Sequence, residues 1–219
     1  MLKEVIAQIE GKVKDLFKSD SSGHDISHLK RVMKIALRIQ KEEGGDEIIV
    51  GVSAFLHDVH RLMQNECGNF VEPVESLPII RDILKDTSLT QDQIDEICYC
   101  IKYHENYNWN GANVDNLNAL ILQDADNIDA CGAIGIGRSF CYGGNNHIVM
   151  FDEDIPLENN TKYVESGGND PSTLHHFYHK LIKLADYMNT KTATKIAKER
   201  AKFMLEFIDE FLAEWKGEK

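Results

Sequence analysis

Residues 193–215 read ATKIAKERAKFMLEFIDEFLAEW. Ala193, Ala197, Ala201, Met204, Ile208, Phe211 and Trp215 recur at intervals of three or four, which puts them on one face of an α-helix. The same period extends toward the N-terminus. Leu174, Phe177, Leu181, Leu184 and Met188 predict a helix over 172–188, with Asp170-Pro171 as its start signal. Another helix is expected from Leu117 to Ala130. Thr90 and Gln93 have capping-box spacing ahead of Ile94, Ile97, Cys98 and Ile101. Ile79 to Leu84 reads as a short helix. Ile48, Val52, Phe55, Val59 and Leu62 form one stripe behind a capping Asp46. His28, Val32, Ile35, Ala36 and Ile39 line a helix that stops at Gly44-Gly45. Val5, Ile9, Val13, Leu16 and Phe17 make the first stripe. The short β-branched runs of an α/β protein are missing. Only residues 143–170, rich in Gly, Asn and Asp, depart from the pattern, and they predict a long excursion, either a lid or a small pair of strands. The expectation is an all-α chain, with residues 1–219 forming a single domain.

Composition narrows the function. The 219 residues carry 24 basic and 36 acidic side chains, a net charge of −12, with no Lys/Arg cluster to meet a polyanion. Nucleic acid and anionic membrane surfaces are therefore excluded as expected partners. The N-terminal stretch has no apolar signal-peptide core, and Ile48 to Leu56 is far short of the ~20 residues that span a bilayer. Five cysteines without a CxxC pair fit free thiols in a reducing cytosol better than a disulfide framework or a zinc ribbon. A cytoplasmic protein, monomeric or homodimeric, is expected.

The histidines carry the chemistry. His28 lies in line with Val32 and Ile35, so it points toward the core. His57-Asp58 closes an equally apolar stretch, and Asp126 follows Leu122 by one turn within LNALILQDADNIDA. A buried imidazole or carboxylate costs several kcal/mol or more when charged and unpartnered. Two of each meeting at one divalent cation would satisfy that need, and this donor set suits first-row ions.

The order of these residues, a His, an adjacent His-Asp and a distant Asp, resembles the HD-domain metal-dependent phosphohydrolase superfamily. The flanks resemble one bacterial branch more closely: GHDISHLKRV at 23–32, AFLHDV at 54–59, QDADNIDACGAIGIGRSF at 123–140, and STLHHFYHKL at 172–181. The resemblance implies an HD-domain helical bundle. One divalent metal (Mn, Ni, Fe, Co, Zn or Mg) would be held by His28, His57, Asp58 and Asp126. The metal-binding core would span about 23–130, with the helices of 171–216 packed on it. It further implies hydrolysis of a small phosphate ester or nucleotide, extending to release of pyrophosphate from a nucleoside triphosphate. A non-catalytic, nucleotide-sensing HD domain and a di-iron HD oxygenase are the alternatives.

Other positions follow the same resemblance. His104 and Glu105 are candidate proton-transfer groups, although His104 also suits a helix end, where it would meet the dipole. Arg138, His176 and Lys180 are candidate phosphate-binding residues; an ion pair for Arg138 and a solvated Lys180 are the plainer readings. Asp25 serves as an N-cap and His24 as a neighbour of the ligands. His175 and His179 have metal-like i,i+4 spacing but lack the HExxH glutamate. After the His-Asp pair, where many superfamily members carry an acid and a lysine, this chain has His60-Arg61.

Overall fold

The computed structural model describes residues 1–17, 23, 25–157 and 170–219, and among these residues there is no strand. The chain forms two compact units, one of residues 1–20 and 24–126, the other of residues 21–23 and 127–219.

The first unit contains α1 (Leu2–Leu16), α2 (Ile26–Glu43), α3 (Glu47–Leu56), α4 (Val59–Cys67), α5 (Leu77–Leu84), α6 (Gln91–Tyr103) and most of α7 (Leu117–Asp129). Its centre is α3, buried at every position from Ile49 to Leu56 and packed on α1, α2 and α6. A helix apolar on all sides has no solvent face to offer, so its neighbours must surround it. Asp46 caps α3 by accepting from the Ile48 and Ile49 amides. The turn before it runs through Gly44 and Gly45 at φ +91° and +95°. At Gly45 a side chain would also meet Asn118 Oδ1 at 2.7 Å, the atom that accepts from the Asp46 amide. Thr90 and Gln93 form the expected capping box of α6.

The expected continuous stripe from Ile48 to Leu62 is broken. α3 ends at Leu56 and α4 starts at Val59, with Asp58 at φ −91°, ψ 12°. That sparsely occupied bridge region recurs at functional residues. Hydrophobic period could not reveal the break, because Val59, the first residue of α4, is buried just as the continuous stripe requires.

The second unit holds the end of α7, then α8 (Gly132–Asn145), α9 (Thr173–His176) and α10 (Lys191–Trp215). Phe140, Phe177, Phe207, Phe211 and Trp215 form an aromatic cluster running from the buried Phe177 to the exposed Trp215, with neighbouring ring centroids such as Phe140–Phe177 5.8 Å apart. The guanidinium of Arg200 on α10 donates to the carbonyls of Ile128, at 2.6 Å, and Cys131, tying α10 to the turn that joins α7 to α8. The single helix expected over 172–188 is instead three pieces. After α9 come a π-helical turn at Phe177–Leu181 and a 3₁₀ turn at Lys183–Asp186. The Ile182 amide bonds Phe177 O, five residues back. Such wide turns are rare and often sit at functional sites. The excursion begins later than expected, since α8 runs to Asn145; residues 158–169 lie outside the described residues.

No helix among the described residues is long and apolar enough to cross a membrane. The cysteines are free, as expected, but Cys67 and Cys141 are exposed and only Cys98, Cys100 and Cys131 act as buried filler.

Candidate metal centre

Three elements bring the expected ligands together. His28 stands in the first turn of α2, whose N-cap Asp25 accepts from the His28 amide at 2.9 Å. His57 and Asp58 occupy the break between α3 and α4, and Asp126 projects from α7. His28 Nε2 lies 3.2 Å from His57 Nε2, 3.2 Å from Asp58 Oδ2 and 3.5 Å from Asp126 Oδ1. His57 Nε2 is 3.5 Å from Asp58 Oδ1 and 3.6 Å from Asp126 Oδ1.

These spacings test the fit to a cation. Ligand bonds of about 2.1 Å set neighbouring donor atoms about 3.0–3.4 Å apart in octahedral or tetrahedral spheres. The four side chains nearly meet that condition, and the two imidazoles are fully buried. His57 Nδ1 is 2.9 Å from the Ala54 carbonyl, so it carries the ring proton and leaves the Nε2 lone pair toward the centre. The residues present therefore fit a divalent metal.

Without a cation, the carboxylates act on the imidazole. Burial disfavours a charged His57, but Asp58 and Asp126 outweigh it and lift its pKa to about 9. Burial likewise opposes ionisation of Asp126, yet the neighbouring His57 and His28 hold its carboxyl well below the usual range.

A second set of side chains adjoins the first. His104 ends α6, fully buried, with Nδ1 2.7 Å from the Ile101 carbonyl. His60 on α4 is also fully buried, with Nδ1 3.2 Å from the His57 carbonyl. Glu105 is held in an ion pair by Arg61, whose Nε lies 3.8 Å from Asp58 Oδ1. Burial, together with His57 and His60, outweighs Glu105 and pushes His104 down to about 4. Burial would raise Glu105, but His60, His104 and Arg61 bring it to about 2. At neutral pH His104 is thus uncharged and Glu105 ionised.

His60 and Arg61 appeared in the sequence only as a departure from a pattern. The readable signal was the three-residue spacing of His57 and His60, which turns both rings toward one side of a helical segment.

The remaining candidates belong to the second unit. Arg138 donates to the buried carboxylate of Asp129 at 3.0 Å, an ion pair of the kind the plainer reading anticipated. Asp170 receives both His176 Nδ1, at 2.6 Å, and His179 Nδ1, at 2.5 Å. His175 is buried, with Nδ1 2.7 Å from Ser172 Oγ and Nε2 3.2 Å from the Ile155 carbonyl, so it does not pair with His179 on a shared ion. Lys180 is half-buried in the π-helical turn. His24 lies outside the described residues.

Comparison with known proteins bears on the fold. The HD domain family model matches residues 25–131. The crystal structure of an HD-superfamily hydrolase from Bacillus thuringiensis is 32% identical, covers 99% of both chains and superposes with a TM-score of 0.73. YpgQ of Bacillus subtilis is 29% identical over 201 residues, covering 90% of this chain and 87% of its own. A crystal structure of YpgQ in complex with ADP has a TM-score of 0.68 and covers 94% of each chain. The family model spans His28, His57, Asp58 and Asp126, and the likeness to the Bacillus thuringiensis hydrolase runs the length of the chain: this protein belongs to the HD-domain superfamily and has the fold of its hydrolases.

Proposed function

We propose that this chain is a metal-dependent phosphohydrolase acting on a small phosphate ester or nucleotide, with a nucleoside triphosphate the favoured substrate class. The observation that carries this reading is the close approach of His28 and His57, 3.2 Å apart at Nε2, each of which has an oxygen of Asp58 and of Asp126 within 3.2–3.6 Å. Bound ADP in the related YpgQ supports a nucleotide as the ligand class. A divalent cation held there would activate water and draw charge from a phosphoryl oxygen.

The chain's own residues supply the rest. His57 is fixed in one tautomer by Ala54 O, so its donor atom needs no rearrangement on binding. Around the centre, neutral His104 and ionised Glu105 present acceptors that would receive a hydrogen bond from the water or substrate they orient. Arg61 neutralises Glu105 and fixes its direction. Arg138, His176 and Lys180 stay in this reading as phosphate-binding residues on the strength of the motif resemblance.

The test is turnover of a panel of phosphate esters and nucleotides with added Mn²⁺. Hydrolysis of at least one member is expected, and Asp58→Ala should abolish both turnover and metal retention. Asp58→Asn should keep the shape and weaken the metal, because an amide oxygen is a poorer ligand. Nucleotide binding without any turnover would move the assignment to a sensing domain. Stoichiometric metal in Asp58→Ala would refute the ligand set.

A further inference from the structure

Tyr107 and Trp109 lie parallel, with ring centroids 4.1 Å apart and planes 5° from each other. A tight turn lets residues two apart meet in this way: the chain makes a 3₁₀ turn at Asn108–Asn110, which ends at Gly111 with φ +83°. Hydrogen bonds hold that turn from two sides. Asn108 Oδ1 accepts from the Val114 amide at 3.0 Å, and Asn108 Nδ2 donates to the Val114 carbonyl at 3.4 Å. From α7, the buried Gln123 donates through Nε2 to the carbonyls of Tyr103, at 2.9 Å, and Asn106, at 3.1 Å. The two rings are thus fixed in place, yet they are half-buried and keep part of their surface in solvent.

The pair stands beside the metal centre. Arg61 lies next to Asp58 and is ion-paired with Glu105. Glu105 precedes Tyr107 by two residues, so their Cα atoms are at most about 7 Å apart. Tyr107 is close enough to Arg61 to interact with it electrostatically. These residues and the four candidate ligands belong to the same compact unit.

We infer that Tyr107 and Trp109 form a stacking platform for the base of a nucleotide whose phosphates meet the metal centre. A third planar ring extends a parallel pair in the same geometry, and the ribose separates that ring from the phosphates. Stacking also suits a chain of net charge −12, because the base is uncharged and gains dispersion and apolar contact that the net charge does not oppose. Every base has a π-face, so the platform should separate nucleotides from phosphate esters that lack a base, while telling adenine from guanine only weakly. Purines, with the larger face, should bind better than pyrimidines. The platform rests on the phosphohydrolase reading above and narrows its substrates to those that carry a base.

The experiment uses the full chain with Mn²⁺ and compares ADP with inorganic tripolyphosphate, which has no base. The chain has two tryptophans, so Trp215→Phe leaves Trp109 as the sole indole reporter. ADP should quench its fluorescence relative to Mn²⁺ alone, and tripolyphosphate should not. By calorimetry, Trp109→Ala and Tyr107→Ala should each weaken ADP binding about tenfold and leave tripolyphosphate binding unchanged, and Trp109→Phe should retain most of the ADP affinity. Equal losses for the two ligands would make the pair a prop for its turn. Unaltered ADP affinity without quenching would make it plain surface. Either result would overturn the inference and leave the proposed function standing. Binding of neither ligand by wild type would remove both.

Discussion

Raising the pH should destabilise the metal-free protein and leave the metal-loaded protein nearly unaffected. His57 is fully buried, and its pKa rises from the ordinary 6.5 to about 9 in the folded chain. A folded-state pKa above the unfolded one means that protonation favours folding. The contribution is complete below about pH 6.5 and fades as pH climbs through 9. The gap corresponds to on the order of 3 kcal/mol, or roughly 6–12 °C in Tm for a chain of this size. Thermal melts of chelator-treated protein between pH 6 and 9.5 measure it. With Mn²⁺ bound, His57 Nε2 has no proton to lose and the slope should vanish. His57→Gln should lose the slope without any metal. A metal-free Tm that stays level from pH 6.5 to 9, or a slope that persists in His57→Gln, would refute the account of His57 as the proton-bearing member of the centre.

Two further outcomes are open to measurement. Lys180→Ala should raise KM for a triphosphate about tenfold, equivalent to about 1.4 kcal/mol, with metal content unchanged; unaltered kinetics would make Lys180 a solvated side chain. Gly135→Ala should destabilise by more than the ~1 kcal/mol typical of point substitutions, since the new Cβ would stand 2.2 Å from the Ala130 carbonyl oxygen in backbone that has little room to move, and denaturant melts would show it.

The elements that announced themselves in the sequence were those whose burial is one-sided. α1, α2, α6 and α10 each bury a stripe at helical period; Thr90 marks the start of α6 through its side chain, and Gly44 marks the end of α2 through its positive φ. The four candidate ligands were legible as a set, because polar residues stand within apolar helical segments in the order that a known family uses. Where the reading stopped, the cause is also physical. The break at His57-Asp58 alters backbone angles without changing which residues are apolar. The π-helical turn at Phe177–Leu181 keeps Phe177 and Leu181 buried, as a regular helix would. Glu105 gains its place from Arg61, 44 residues away, and no local pattern encodes that pair.

The three-residue turn between α2 and α3 bears on the order in which the centre assembles. His28 and His57 are 29 residues apart, and the helices that carry them pack directly on each other. Contacts so local in sequence close cheaply and form early in folding. His28, His57 and Asp58 can thus be gathered by one helical hairpin while most of the chain is still unordered. Asp126 must wait for α7, because its partners His28 and His57 lie 98 and 69 residues before it in the chain. The nascent site is therefore three-cornered, and the arrival of α7 closes its fourth side.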